Sequence, residues 1–145
     1  MRRFAVWSVV VGVLSAGVVG CKEDRGFEVV QITGKVYCDD ELVKESDLFI
    51  QFMPAGDISQ PLAGKMAAGK VDENGQFSDL TTYTKGDGVI VGKHNVTVYR
   101  MVPVAEDEDD DESGVGGREL ICGESSTEVT ITADSKDIEI RLTSD

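Results

Sequence analysis

The chain has 145 residues, a length that suits one domain with a single core once a short leader is set aside. It carries 27 Asp and Glu residues against 14 Lys and Arg residues, for a net charge of −13. This balance argues against nucleic acid as a partner, because its phosphates would be repelled.

Residues 1–20 have the pattern of an export signal. Arg2 and Arg3 precede an apolar run over residues 4–19, which is too short for a comfortable transmembrane span. The run ends in Val18-Val19-Gly20-Cys21, which resembles a bacterial lipobox, where the cysteine receives diacylglycerol before cleavage. Cys21 would then be the first mature residue, and loss of the two arginines would lower the net charge from −13 to −15. The alternative is an uncleaved N-terminal anchor.

Lipid on Cys21 predicts attachment to the cell envelope. Residues 21–26 are short, charged and without periodicity, as expected of a tether, and residues 27–145 form the predicted β-sandwich domain. Lys22 stands where an aspartate is associated with retention in the inner membrane. The outer membrane is therefore favoured if the host has one.

The two other cysteines, Cys38 and Cys122, form an even pair in a compartment that permits disulfides. A bridge would close a loop of about 84 residues and contribute on the order of 4 kcal/mol by restricting the unfolded chain. The alternative is two separate buried thiols that behave as small apolar side chains.

Five runs alternate between apolar and polar residues, which is typical of half-buried antiparallel strands. No segment shows the spacing of an amphipathic helix. The pattern predicts an all-β sandwich of about seven or eight strands. The alternating runs cover residues 30–36, 48–52, 96–99, 128–132 and 138–143.

Turn residues separate these runs. Asn74-Gly75 predicts a type I′ turn that joins strands over Met66–Val71 and Gln76–Leu80. The segment Cys38-Asp39-Asp40-Glu41 predicts a second tight connection.

Several short motifs resemble carboxypeptidase-regulatory-like (transthyretin-like) domains of small bacterial lipoproteins. These motifs lie in residues 32–36, 39–43, 48–54, 68–77 and 91–98. The resemblance covers most of residues 29–142 and implies a prealbumin-type antiparallel sandwich. It also implies a non-catalytic accessory or binding module, and it transfers no active-site residue. One departure is Asp40-Glu41, which stands where the family usually has glycine in the first turn.

Catalytic and zinc chemistry find little support in the sequence, so we expect no enzyme and no catalytic residue. His94 is the single histidine, and it lies in a predicted strand where the resembling family has an aromatic residue. A structural role is therefore favoured over a triad. Cys38, His94 and Cys122 are too isolated in sequence for local zinc ligation.

The run Glu106–Glu112 consists of seven adjacent carboxylates and is followed by glycines. Mutual repulsion predicts a solvated loop over residues 105–117. The alternative is a weak calcium site at Asp107, Asp109 and Asp111, whose alternate spacing offers oxygen ligands. Glu112 occupies the sixth position from Asp107, where a calcium loop needs glycine.

We expect a lipid-anchored cell-envelope protein with a non-catalytic binding or structural module and no resident cofactor. Its expected partners are the membrane, through Cys21, and an envelope or surface protein or glycan. The alternative function is a calcium-responsive adhesion module that uses the acidic loop.

Overall fold

The computed structural model describes residues 26–56, 64–103, 117–123 and 126–144. In these ranges it has eleven strands and no helix, which confirms the all-β class. The strands are β1 (Val29–Val30), β2 (Thr33–Cys38), β3 (Glu41–Leu42), β4 (Leu48–Pro54), β5 (Ala67–Val71), β6 (Gln76–Phe77), β7 (Val89–Ile90), β8 (Gly92–Val102), β9 (Gly117–Leu120), β10 (Thr127–Ile131) and β11 (Asp137–Leu142).

One continuous sheet contains nine of these strands. Its hydrogen-bonded order is β10-β8-β4-β5-β6-β2-β11, with β3 beside β2 and β9 beside β8. Strands β1 and β7 form a separate two-stranded ribbon. The long strand β8 organises one side of the sheet, because β4 pairs along one edge while β10 and β9 share the other edge.

The sheet curls over a single core. Strands β10 and β11 lie at opposite ends of the order, yet only residues 132–136 connect them. In that connection the Ser135 N–H donates to the Thr132 backbone oxygen over 3.1 Å. So short a link brings the two ends of the sheet together, as in a sandwich.

A second bend in the sheet lies between β5 and β6, which pair only at Val71 and Phe77. This narrow join separates two layers. The larger layer contains β10, β8, β4, β5 and β9, and the smaller layer contains β6, β2, β11 and β3.

Inward side chains of both layers fill the space between them, as the alternating pattern predicts. Strands β2, β4, β8 and β11 each bury alternate residues. The largest inward side chains include Leu48, Ile50, Phe52, Phe77 and Ile140, all at most 2% exposed. Burial of this apolar set supplies the main driving force for the fold.

The pairing differs from the predicted antiparallel arrangement at one place. Strand β11 runs parallel to β2, in a register from Asp137 opposite Thr33 to Leu142 opposite Cys38. Alternation along a strand specifies which face is buried but not the direction of its neighbour. The number of strands also exceeds seven or eight, because β1, β3, β6 and β7 are two residues long and too short to show a period.

The turn between β5 and β6 lies where predicted, but its type I′ assignment is wrong. That type needs positive φ at both central residues, and within residues 72–75 Gly75 alone has one, at 70°. The Gly75 N–H donates to the Asp72 backbone oxygen over 2.9 Å. The Asp72 carboxylate accepts from the N–H groups of Asn74 and Gln76. These contacts define a type I turn followed by a glycine bulge. Strand β6 then ends at Phe77, three residues before the predicted Leu80.

The connection from β2 to β3 is tight, as predicted, with Cys38 opposite Glu41. Its central residues, Asp39 and Asp40, have φ angles of 48° and 67°. Two successive positive φ angles are the mark of a type I′ turn. Aspartate adopts them more readily than most residues because its short polar side chain can form local hydrogen bonds.

Strand β9 was not anticipated. The predicted acidic loop extends through residue 117, but Gly117 is the first residue of β9 and lies opposite Val102. The signal was weak because β9 has four residues and three of them are exposed.

Candidate binding face

The four large hydrophobic side chains that are exposed in the described residues all lie on one side of the larger layer. Met53, Met101 and Leu120 are 39% to 47% exposed, and so is Met66 at 44%. Each of the first three occupies an outward position of its strand. Extending the pairing of Phe52 with Ala67 by one residue places Met66 opposite Met53.

We call this surface the outer face. It consists of the outward positions of β4, β5, β8, β9 and β10, together with Met66. These residues are Phe49, Gln51, Met53, Met66, Ala68, Lys70, Lys93, Asn95, Thr97, Tyr99, Met101, Arg118, Leu120, Glu128 and Thr130.

A row of directly opposed side chains crosses the centre of the outer face. Phe49 lies between Lys70 and Tyr99, and Tyr99 lies opposite Leu120. The rings of Phe49 and Tyr99 stack with centroids 5.8 Å apart and planes inclined by 21°. The Lys70 ammonium lies 5.8 Å from the Phe49 centroid. Cross-strand pairs of this kind stabilise a sheet and fix its register.

Arg118 covers Tyr99 from the neighbouring strand. Its guanidinium carbon lies 4.8 Å from the Tyr99 ring centroid, and its Nη1 donates to the Gln51 side-chain oxygen over 3.2 Å. These contacts, with the stacked Phe49, leave Tyr99 only 8% exposed. Arg118 is therefore held in a defined place on the outer face.

The charge of the outer face is opposite to that of the chain. It contains three cations, Lys70, Lys93 and Arg118, and one acid, Glu128. Lys93 pairs with Glu128 at 3.0 Å. Lys70 and Arg118 have no ion pair among the described residues. The outer face thus has a local net charge of +2 on a chain of net charge −13.

The structure joins Cys38 and Cys122 in a disulfide, with their Cα atoms 5.6 Å apart. It links the end of β2 in the smaller layer to the segment after β9 in the larger layer. Asp39 beside it accepts hydrogen bonds from the Ser144 hydroxyl at 2.6 Å and the Ser144 N–H at 3.1 Å. Both bonds lower the pKa of Asp39, and the bond from the hydroxyl has the larger effect.

The disulfide also rules out a metal site at a cluster whose ligand atoms are close enough together to bind one ion. Ligand atoms of Cys38, Asp39 and Cys122 lie within 4.8 Å of one another. Because the two sulfur atoms are bonded to each other, neither is a thiolate that can bind a metal ion.

His94 is a core residue, 1% exposed, on the inward side of β8. Its Nε2 lies 2.7 Å from the Ile90 backbone oxygen, so Nε2 carries the proton and donates it. Its Nδ1 is buried without a partner in the described structure. Burial lowers the pKa of His94, and the bond to Ile90 only partly opposes this effect. His94 therefore has a packing role beside Phe52, whose ring centroid is 6.1 Å away.

Asp87 organises the loop that leads to β7. Burial acts to raise its pKa, but hydrogen bonds from the backbone N–H groups of Thr82, Thr84 and Tyr83 outweigh burial and lower the pKa. These bonds are 2.8 to 3.0 Å long. Asp87 is thus an ionised loop anchor.

An open groove of about 1160 Å³ follows the seam where β5 meets β2 and β6. Its lining includes Lys35 and Lys85 together with Asp47, Asp72 and Asp79. The described residues that line it include neither histidine nor cysteine. Three lysines, among them Lys70 of the outer face, and five carboxylates line it, so its charge is of mixed sign.

Several predicted site residues lie outside the described ranges. These are Cys21 and the candidate calcium ligands Asp107, Asp109 and Asp111. The predicted signal over residues 1–20 lies outside them as well. The part of the chain that the structure does describe contains no helix long and apolar enough to cross a membrane.

No protein-family model, curated protein or solved structure matches this chain.

The sequence did not single out the outer face, although it contains a signal. Phe49, Met53 and Met101 are large apolar residues at positions of β4 and β8 where alternation calls for polar ones. Several large apolar residues at the outward positions of a strand indicate a surface that contacts another molecule or another part of the chain. Recognising that they form one surface requires the strand order.

Proposed function

We propose that this chain is a lipid-anchored cell-envelope protein whose transthyretin-like β-sandwich is a non-catalytic binding module. The outer face is the binding surface, and Cys21 carries the lipid.

The observation that carries this proposal is the grouping of Met53, Met66, Met101 and Leu120 on one sheet face. Met53 and Met66 lie at one end of the outer face and Met101 and Leu120 lie toward the other, with Phe49 and Tyr99 between them. Single exposed apolar side chains are ordinary, but several on one face of a sheet mark an interaction surface. The set lies on paired strands of the larger layer, so its geometry is held by backbone hydrogen bonds. A rigid, preorganised surface loses little conformational entropy on binding.

The disulfide supports the envelope location. Bridges such as that between Cys38 and Cys122 persist in oxidising compartments and are rare in the cytosol. The basic and apolar leader, ending at the lipobox-like Cys21, supports export and lipid attachment in the same way.

The lipid part of the proposal is tested with Cys21→Ala expressed in a bacterial host supplied with labelled palmitate. We expect the wild type to be labelled and shortened, and the variant to remain as an unlabelled precursor, because processing requires the modified cysteine. A soluble wild-type protein with an unmodified Cys21 thiol would contradict lipid attachment.

The binding part is tested by photo-cross-linking in intact cells, with the reactive amino acid placed at Leu120 on the outer face. Asp134, exposed in the turn between β10 and β11, is the matched control position. We expect a discrete adduct with an envelope component from position 120 and none from position 134. Equal adducts from both positions, or none from either, would argue against the outer face.

A further inference from the structure

The chemistry of the outer face identifies the kind of partner it fits. We propose that it binds an acidic polypeptide segment that also carries apolar side chains. This inference rests on the proposed function, since it names the partner of the same surface.

The surroundings of the aromatic rings argue against a sugar as the partner. Phe49 has Tyr99 against one side and Lys70 toward the other, while Arg118 lies over Tyr99. The ring faces are therefore occupied by neighbouring side chains, and the accessible parts of the rings are their edges. A sugar needs an open ring face on which to stack, whereas ring edges carry positive partial charge and suit carboxylate oxygens.

Charge complementarity favours an acidic partner. Lys70 and Arg118 flank the ring pair on its two sides, and within the described structure neither has an acidic partner. Uncompensated cations beside apolar surface attract anionic groups and orient them during encounter. Arg118 is also preorganised by Gln51, so it loses less side-chain freedom when it binds a carboxylate.

The apolar residues fit a flat protein surface better than a membrane. Met53, Met66, Met101 and Leu120 are 39% to 47% exposed, so neighbouring residues already cover more than half of the surface of each. Insertion into a bilayer needs side chains that project into the acyl region. Self-association of two outer faces is disfavoured, because it would bring Lys70 and Arg118 of one copy against those of the other.

A strand edge beside the outer face adds a feature that only a polypeptide matches. Strand β9 pairs with β8 along one edge, and no strand among the described residues pairs with its other edge. A peptide that lies along β9 can form backbone hydrogen bonds while its alternate side chains reach Arg118 and Leu120.

The experiment is selection of random displayed peptides on the full purified chain. The best peptide is then synthesised with a fluorescent label, and its binding is measured to the wild type and to two variants. Lys70→Glu/Arg118→Glu reverses the charge of the outer face. Lys35→Glu/Lys136→Glu, at exposed positions of β2 and of the connection before β11, makes the same change in net charge elsewhere. Circular dichroism checks that all three proteins are folded.

We expect the wild type to enrich peptides that combine Asp or Glu with large apolar residues. Reversal on the outer face should weaken binding of the best peptide by on the order of tenfold or more, and should itself enrich Lys and Arg peptides. The Lys35→Glu/Lys136→Glu variant should bind much as the wild type does. The charge-preserving Lys70→Arg/Arg118→Lys should keep the acidic preference.

Three results would overturn the inference. The first is peptide enrichment without acidic bias, and the second is equal loss of binding in the two charge-reversed variants. The third is binding to phosphatidylglycerol vesicles that requires the outer face, in the absence of peptide enrichment. Because these measurements use purified protein, they are independent of Cys21 processing and of cellular cross-linking. Specific cross-links from position 120 without an acidic preference would contradict this inference and leave the proposed function standing.

Discussion

At the scale of single residues, His94 is the one described residue with a buried polar side-chain atom that lacks a hydrogen-bond partner. Its ring packs edge to face with Phe52, and it brings one bonded and one unpartnered ring nitrogen into the core. An unpartnered buried acceptor costs free energy. Burial also lowers its pKa below the ordinary value of 6.5, so folding resists protonation of this residue.

This environment predicts a pH dependence of stability. The unfolded chain protonates His94 at its ordinary pKa, whereas the folded chain protonates it only at lower pH. The free energy of unfolding is therefore at its full value above the ordinary pKa and decreases as the pH falls through the folded pKa. His94→Phe should remove this component, which denaturant titrations between about pH 8 and pH 5 will measure. We expect the variant to be less stable than the wild type by about 1–3 kcal/mol at the upper pH, because the larger ring overpacks the site and the Ile90 carbonyl loses its donor. The same pH slope in both proteins would show that His94 is not the titrating group.

At the scale of elements, the turn between β5 and β6 depends on Gly75 for two reasons. Its φ of 70° is strained for other residues, and a Cβ atom there would lie 2.4 Å from the Val43 backbone oxygen. Gly86 has a similar φ of 73° but nothing within 4 Å of the corresponding position. Comparing Gly75 with Gly86 separates the cost of the positive φ angle from the cost of the steric clash.

We expect Gly75→Ala to lower the free energy of unfolding by about 2–4 kcal/mol and Gly86→Ala by only about 1–2 kcal/mol. The difference reflects the clash of the added Cβ atom with the Val43 backbone oxygen. That oxygen cannot move away without disturbing β3. Chemical denaturation of both variants measures it. Equal losses of unfolding free energy in the two variants would mean that the strand pairing near Val43 adjusts to the added Cβ atom at little cost.

The acidic run Glu106–Glu112 is an element that the sequence alone defines. Its seven carboxylates need hydration and repel one another, so we expect them to contribute few native contacts. Replacing residues 106–112 with a Gly/Ser linker should therefore change the free energy of unfolding by no more than about 1 kcal/mol.

Calcium tests the alternative for the same run. If Asp107, Asp109 and Asp111 hold calcium, millimolar calcium will raise the melting temperature of the wild type by linkage, but not that of the linker variant. An identical response of both proteins supports the solvated loop.

At the scale of the whole molecule, the disulfide is a covalent cross-link between the two layers. It closes a loop with a sequence separation of 84, which includes β4, β5 and β8. Cys38→Ala/Cys122→Ala should lower the free energy of unfolding by about 2–5 kcal/mol, because the unfolded chain regains conformational freedom. Reductant should destabilise the wild type by a similar amount and leave the variant unchanged. Cys21→Ala is the control, and its response to reductant should equal that of the wild type.

The sequence predicted the elements better than their assembly. The buried positions of Leu48, Ile50 and Phe52 follow directly from alternation, and the turns at residues 39–40 and 72–75 follow from Asp, Asn and Gly. The type of the second turn did not follow, because the Asp72 side chain accepts two backbone N–H groups and stabilises a type I geometry. Local propensity describes what a turn residue allows, and side-chain hydrogen bonds decide among the allowed forms.

The sequence by itself determined the all-β class and the inward residues of the long strands, because each depends on a local pattern. The lipid site at Cys21 stays a prediction from a pattern of the same local kind. Tertiary structure decided the parallel pairing of β11 with β2 and the union of Cys38 with Cys122. It also decided that Lys70, Phe49, Tyr99 and Arg118 lie side by side, although they come from four different strands. These outcomes depend on which strands become neighbours, and burial of one shared core selects that order only when the whole chain folds.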